Sequence, residues 1–241
     1  MIRSFGKTDV GRARTNNEDS FRVRDDLQLF VVADGMGGAQ AGERASKIAA
    51  DTLVGEIEKA GPEAEMPELL AAVRLANQNV RAEARAHPEL AGMGTTLVAV
   101  IAKPPRALVV NVGDSRAYLQ TDDGLYCVTT DHSWVNEVGR GLGLTEDQLR
   151  THPYRNVLTK AVGAEDDVEA QALEVDFMPG DILLLCSDGL HGVAGEQALL
   201  DILQRKSGLE DKCQALIQAT LDRGAPDNVT VVLVERVEPE G

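Results

Sequence analysis

Strand-forming runs in this chain come in blocks, and the amphipathic helical stretches between them come two at a time. Apolar, β-rich runs lie at 27–33, 95–102, 107–112, 117–120, 125–129, 168–175, 182–187 and 229–234. The first helical pair carries Ala45, Ile48, Ala49, Leu53 and Ile57 on one face, then Leu69, Val73, Ala76 and Val80, stopping before Pro88. The second pair runs through 198–203 and then through Leu209, Cys213, Leu216, Ile217 and Leu221. A doubly wound parallel sheet would alternate one strand with one helix. Blocks and pairs instead predict an α+β chain of layered antiparallel sheets flanked by helices. Only 3% of the residues are aromatic, so Val, Leu, Ile and Ala have to fill the core.

No repeat, low-complexity tract or Gly/Ser-rich linker interrupts the 241 residues. Lys103-Pro104-Pro105 separates two short β-rich runs and reads as a turn, not a domain break, so 1–241 is expected to form a single domain. The polar stretch 133–167 holds Gly139, Gly141 and Gly143, and a capping box at Thr145 and Gln148 opens a short helix that His152-Pro153 closes. It is either a surface excursion beside a site or an ordinary long connection. Cys127, Cys186 and Cys213 are odd in number and widely spaced, as expected for reduced thiols in a cytoplasm and not for a disulfide framework or a zinc site. The N-terminal stretch has no apolar h-region, so no signal peptide is expected, and the longest apolar run, 97–102, falls far short of a membrane span. With 39 acids against 24 bases the net charge is −15, which repels nucleic acid and anionic membrane surfaces and ought equally to repel a phosphorylated substrate.

The chemistry lies in a repeated boundary, where an apolar run meets an Asp beside a Gly. LFVVADG ends at Asp34-Gly35, VVNVGDS at Gly113-Asp114 and ILLLCSDG at Asp188-Gly189, while Asp227-Asn228 stands just before VTVVLV. Upstream, Arg14 is followed by Glu18 and Asp19. Any one Asp-Gly is ordinary turn chemistry. Four acids at the ends of strongly apolar strands would gather at a sheet rim, where like charges are tolerated only if protonated or balanced by cations. Hard oxygen donors in a cluster favour Mg²⁺ or Mn²⁺, and the neighbouring glycines let backbone, including a carbonyl ligand, come close.

Other chemistries fail on spacing. Gly6-Lys7-Thr8 imitates the end of a phosphate-binding loop, but the glycine required five residues earlier is Met1. Gly35-Met36-Gly37-Gly38-Ala39-Gln40 lacks the third glycine of a dinucleotide fingerprint and sets Asp34 where a pyrophosphate needs bare amides. A cysteine phosphatase needs an arginine six positions after its nucleophile, and the residues there are Ser133, Gly192 and Ala219. No D-x-D pair supports an aspartyl-phosphate route. Of the four histidines, His132 reads as a loop hydrogen-bonder, and His191, three residues after Asp188, is the one expected near the cluster.

Taken in order, RARTNNED, VVADGMGG, MGTTLV, VVNVGDSRAY, TTDHS, LLLCSDGL and APDNVTVV resemble the metal-dependent Ser/Thr protein phosphatases of type 2C (PPM), in particular compact bacterial members that oppose Hanks-type Ser/Thr kinases. The resemblance runs from Arg12 to Val232 and implies a four-layer α/β/β/α sandwich, two antiparallel β-sheets flanked by helical pairs. It implies metal ligation by Asp34, the Gly35 carbonyl, Asp188 and Asp227, with two Mn²⁺ or Mg²⁺ ions per chain and a weaker third at Asp114. Glu18 would hold the second metal through water, Asp19 would orient metal-bound waters, and Arg14 would bind the substrate phosphate. The stretch 133–167 would be the flap beside the site.

Two positions depart from the pattern. Met36 and Ala39 stand where some relatives carry a histidine proposed as general acid, so water must protonate the leaving group. Gly192 stands where some carry an acid that supports a third metal. The implied reaction is hydrolysis of phosphoserine or phosphothreonine by a metal-bridging hydroxide. Its partners would be phosphorylated proteins, substrates of Ser/Thr kinases, with no nucleic acid or membrane partner. No assembly helix is evident, so a cytoplasmic monomer is expected. A catalytically silent scaffold on the same fold would lack ligands, yet Asp34, Asp188, Asp227 and Arg14 are all present. A dedicated regulator of a sigma-factor cascade would be a phosphatase of narrower range, and the chain offers no sensor domain for it.

Overall fold

The central Val-, Leu- and Ile-rich runs become strands buried on both faces, and that double burial dictates the layering. The computed structural model describes residues 1–238, the side chains of Ala39, Glu146 and Arg150 excepted; the last three residues of the expected domain 1–241 lie outside the described residues. In chain order the elements are β1 (Ile2–Asp9), β2 (Asp19–Arg24), β3 (Leu29–Met36), α1 (Ala39–Ala60), α2 (Met66–Ala86), β4 (Gly94–Thr95), β5 (Leu97–Lys103), β6 (Arg106–Val112), β7 (Arg116–Thr121) and β8 (Gly124–Cys127). They continue with α3 (Glu146–Thr151), β9 (Gln171–Asp176), β10 (Ile182–Cys186), α4 (Asp188–Ala194), α5 (Glu196–Leu203), α6 (Leu209–Leu221) and β11 (Val229–Arg236).

The strands form two antiparallel sheets, β2-β3-β5-β6-β9 with β4 added to β3, and β1-β11-β10-β7-β8. Between them lies a dry layer in which Phe30, Val32, Val98, Val100 and Val109 of the first sheet meet Ala117, Leu183, Leu185, Val232 and Val234 of the second. Alternate residues of the first sheet, Leu29, Val31, Ala99 and Val110, turn outward onto Ala45, Ala49, Leu53, Leu69, Val73 and Ala76 of the first helical pair. Tyr118, Leu184, Cys186 and Val231 of the second sheet do the same against Leu190, Leu199, Ile202, Cys213 and Leu216. The expected α+β sandwich of helices, sheet, sheet and helices is what the chain forms.

Both helical pairs lie on the predicted faces, and the second is preceded by the short α4, which opens on Asp188 itself. The structure adds strands β1 and β2, absent from the sequence expectation. Both are edge strands of mixed polarity, IRSFGKTD and DSFRVR, so neither shows a long apolar run. The expected strand at 95–102 is interrupted at Thr96, separating β4 from β5. Pro104 and Pro105, joined by a cis peptide bond, form the tight turn of the β5–β6 hairpin.

The segment 133–167 leaves the second sheet after β8 and returns through the isolated pairing of Thr95 with Val162. Its base is closed by the pairing of Ser133 with Leu158. A π-helical turn at Val135–Gly139 and α3, with the predicted capping box at Thr145, fold back on each other. Trp134 stacks on His152 with ring centroids 4.1 Å apart. Asn77 of α2 anchors the return, taking the Gly163 amide at 2.6 Å and donating to the Glu165 carbonyl at 3.0 Å.

Phe30 is completely buried in the layer between the sheets. Phe30→Ala is therefore expected to cost about 3–5 kcal/mol of unfolding free energy, read as a fall in the urea midpoint, and a cost under about 1 kcal/mol would contradict this packing.

Candidate active site

Antiparallel order explains why acids that lie after some strands and before another meet at one rim. Asp34 is near the end of β3, Asp114 follows β6, Asp188 follows β10, and Asp227 precedes β11, which runs opposite to β10. Asp19 begins β2 and is the register partner of Asp34. A cleft of about 400 Å³ is lined by Arg14, Glu18, Asp34, Gly35, Asp114, Asp188 and Asp227. Of the residues expected at the site, only Asp19 is not on the cleft wall; it is buried directly behind, beside Asp34.

The backbone around each acid is tightly held. Thr95 Oγ1 and the Thr96 amide donate to the Asp34 carbonyl at 2.9 and 2.8 Å, and the Asp34 amide donates to Thr96 Oγ1 at 3.0 Å. The glycine after Asp34 is required by close approach: a Cβ on Gly35 would stand 2.1 Å from the Gly42 carbonyl oxygen of α1. Gly189 is as tightly placed, 1.9 Å from the Asn228 carbonyl oxygen by the same measure. One oxygen of Asp19 accepts from Ser187 Oγ at 2.8 Å and from Thr230 Oγ1 at 2.6 Å. Its other oxygen, Oδ1, is buried with no hydrogen-bond partner among the described residues.

Electrostatics set the cluster apart from the rest of the acids. Asp34, Asp114 and Asp188 each keep an edge on the cleft but are ringed by protein, so desolvation dominates their protonation. Burial, then the charges of Asp19, Asp188, Asp114 and Asp227, hold the Asp34 carboxyl well above the usual carboxylate range. Burial pushes Asp19 up to about 7 against the pull of its two hydroxyl donors, and burial with the Asp188 charge pushes Asp114 up to about 7. Asp188 is raised by burial and by Asp227, partly offset by a hydrogen bond with Asp34 and by the Gly189 amide. Carboxyls raised by burial and by one another's charge mark the rim as a site that needs positive charge.

Arg14 supplies some of it. Its guanidinium donates to Asp227 Oδ2 at 2.7 Å, and the two side chains remain 46% and 36% exposed at the cleft mouth. Among the described residues no three acid, His or Cys side chains are already drawn together at ligand spacing, and Asp227 is paired with Arg14. The donor chemistry nonetheless fits a hard divalent cation: oxygens only, two of them raised to near neutral pH, and one buried carboxylate oxygen left without a partner.

The remaining expectations resolve plainly. His191 is half-buried, with Nε2 2.9 Å from the Asp114 carbonyl, and desolvation lowers its pKa to about 4, so it supports backbone and stays neutral. His132 accepts the Gly113 amide at its Nδ1, 3.2 Å away, as a loop hydrogen-bonder. All three thiols are free and raised by burial, Cys213 to about 12, so none is a thiolate nucleophile at neutral pH. Sequence reasoning missed Ser187 and Thr230 as holders of Asp19, the Thr96 side chain on Asp34, and Asn156 and Leu158 on the cleft wall. Ser187 and Thr230 lie one and three residues from assigned acids, which was the available signal; Asn156 comes from the 133–167 segment and had none.

The raised carboxyls fix a pH dependence. A carboxyl raised in the folded state keeps a proton that the unfolded chain releases, so its stabilisation is present at low pH and lost as pH rises through the folded value. For EDTA-treated protein, melting temperature relative to Asp34→Asn is expected to be highest in acid and to fall as pH rises above the ordinary carboxylate value of about 4. A pH-independent difference would contradict the assigned shifts.

The family model described as Protein phosphatase 2C matches residues 10–233. The serine/threonine phosphatase stp of Listeria welshimeri is 38% identical over 237 residues, spanning 95% of this chain and 94% of its own. The crystal structure of the Mycobacterium tuberculosis serine/threonine phosphatase PstP/Ppp matches with a TM-score of 0.90 at 34% identity, covering 98% of this chain and 99% of that one. The catalytic domain of serine threonine protein phosphatase PstP in complex with two manganese ions matches with a TM-score of 0.89 at 33% identity over 98% of this chain and 99% of that one. With the acids gathered on one rim of a matching sandwich, this chain belongs to the protein phosphatase 2C family.

Proposed function

We infer that the chain is a metal-dependent protein serine/threonine phosphatase that hydrolyses phosphoserine and phosphothreonine esters by direct attack of water, opposing bacterial Ser/Thr kinases. The observation that carries this reading is the convergence of Arg14 with the raised carboxyls of Asp34, Asp114 and Asp188 in one cleft. Asp34, the Gly35 carbonyl, Asp188 and Asp227 would hold two Mn²⁺ or Mg²⁺ ions, and Asp114 would serve a weaker third. When bound, such ions supply Lewis-acid charge to the phosphoryl oxygens and lower the pKa of water.

The protein's own side chains do the rest. Arg14 is half-exposed at the cleft mouth beside Asp227, and its planar fork would suit binding two phosphate oxygens there. Asp19, fixed through Oδ2 behind Asp34, has its buried Oδ1 free of other partners and would orient metal-bound water with it. Glu18, buried with its amide bonded to Asn228 and lining the cleft, would hold the second metal through water. Met36 lines the cleft and brings no proton, so solvent protonates the leaving alkoxide. The stretch 133–167 acts as a flap, consistent with Asn156 and Leu158 on the cleft wall. The remaining assignments are a single catalytic domain, a monomer, and a cytoplasmic setting supported by three free thiols. No helix among the described residues is long and apolar enough to cross a membrane.

Turnover of a phosphothreonine peptide is expected with Mn²⁺, to vanish with EDTA, and to exceed turnover of the phosphotyrosine analogue; folded, metal-loaded protein inactive on every phosphoester would sink the reading. Asp188→Asn should lower kcat on the order of 100-fold or more, while Arg14→Ala should mainly raise KM. An unchanged KM in Arg14→Ala would remove the arginine from its role.

A further inference from the structure

Arg14 sits at the tip of a loop between β1 and β2 that contains no helix or strand. Such a loop would leave the guanidinium poorly placed unless something closed it. Several contacts hold it, and one side chain spans both of its feet. Asn228, 4% exposed, accepts the Glu18 amide at Oδ1 (2.8 Å) and donates through Nδ2 to the Val10 carbonyl (3.0 Å) and the Asn16 carbonyl (2.9 Å). Val10 lies at one foot of the loop, and Asn16 and Glu18 lie at the other, so a single buried amide staples the two feet with both of its donors and its acceptor engaged.

The same residue sets the acid that faces the arginine. The Asn228 backbone amide donates to Asp227 Oδ1 at 2.9 Å, leaving Asp227 Oδ2 for the Arg14 guanidinium. The loop lies directly on this backbone: the Arg12 amide donates to the Ala225 carbonyl at 2.9 Å. Gly11, at φ +79°, comes so close that a Cβ would stand 2.2 Å from the Asp227 carbonyl oxygen. Loop, arginine and acid are therefore registered through one residue that bonds to Glu18 and Asp227 of the cleft wall without lining the cleft itself.

We propose that Asn228 is a positioning residue for substrate binding, stapling the 10–18 loop so that Arg14 and Glu18 are presented over Asp227. The proposal rests on the reading of Arg14 as the phosphate ligand. It assigns Asn228 an effect on KM transmitted through Arg14, where a residue that merely supports the fold would lower stability without that split.

The test is a double-mutant cycle on a phosphothreonine peptide with amide hydrogen exchange on the same proteins. Asn228→Ala is expected to raise KM roughly tenfold in the wild-type background and less than about twofold in Arg14→Ala, because the residue to be positioned is then gone. Hydrogen exchange should rise in the peptide spanning residues 10–18, the Glu18 amide included, with the sheets unchanged. Should the alanine variant fail to fold, Asn228→Asp keeps the shape and the acceptor but turns an anionic oxygen on the Val10 and Asn16 carbonyls, and the same outcomes apply. Equal KM effects in both backgrounds, unchanged exchange at 10–18, or failure of both variants to fold would overturn the positioning role. An unchanged KM in Arg14→Ala alone would instead overturn the reading of Arg14 on which the proposal rests.

Discussion

Everything distinctive in this molecule follows from packing like charges together where water is scarce. Asp19 and Asp34 are direct register partners on adjacent strands, an arrangement that is destabilising for two anions. The charges of Asp188, Asp114 and Asp227 add their fields at Asp34. Burial raises the carboxyls toward neutral pH, so the rim has to recruit protons or cations. An apolar alternative at these positions would pack without penalty, which is why the cluster reads as functional and not structural. The same need resolves the conflict between a net charge of −15 and a phosphorylated substrate, since positive charge drawn to this rim is what an anionic ester would meet.

The β-sandwich is a suitable frame because it holds its strand ends rigidly. Residues on both faces of the central strands are fully buried, from Phe30 and Val32 inward to Leu29 and Val31 outward. The acids therefore emerge from backbone fixed on either side, and the local clamps are short: Thr95 and Thr96 on Asp34, His191 on the Asp114 carbonyl, and Ser187 with Thr230 on Asp19. Arg116 braces the flank, pairing bidentately with Asp131 at 2.8 and 2.7 Å at the base of the 133–167 segment. The arginine loop is the exception. It belongs to no sheet, and Asn228 joins its two feet beside the Arg12–Ala225 and Asn17–Thr8 contacts.

Much of this was legible in the residues. Strongly apolar strands such as LFVVAD and ILLLC, and helices with a clear apolar stripe, declare themselves because burial selects the pattern locally. Asp34, Asp114 and Asp188 were visible because each ends such a run beside a glycine, and the close approaches at Gly35 and Gly189 show the steric reason for that pairing. What stayed hidden depends on partners distant in sequence. The edge strands β1 and β2 have mixed polarity and acquire their identity from neighbours about 200 residues away in one case and across a hairpin in the other. The convergence of Ser187 and Thr230 on one oxygen of Asp19, and of Asn228 on both feet of a loop near the opposite terminus, is a product of antiparallel pairing that periodicity does not encode.

The claim at the centre is that the raised carboxyl cluster is a divalent-cation site organised by Asp34. Calorimetric titration of EDTA-stripped protein with Mn²⁺ tests it without reference to turnover. The account predicts two ions bound per chain, with protons released on binding near neutral pH and binding largely lost in a folded Asp34→Asn variant. Saturable binding of equal stoichiometry and affinity in Asp34→Asn, or no binding to the wild-type chain, would contradict it.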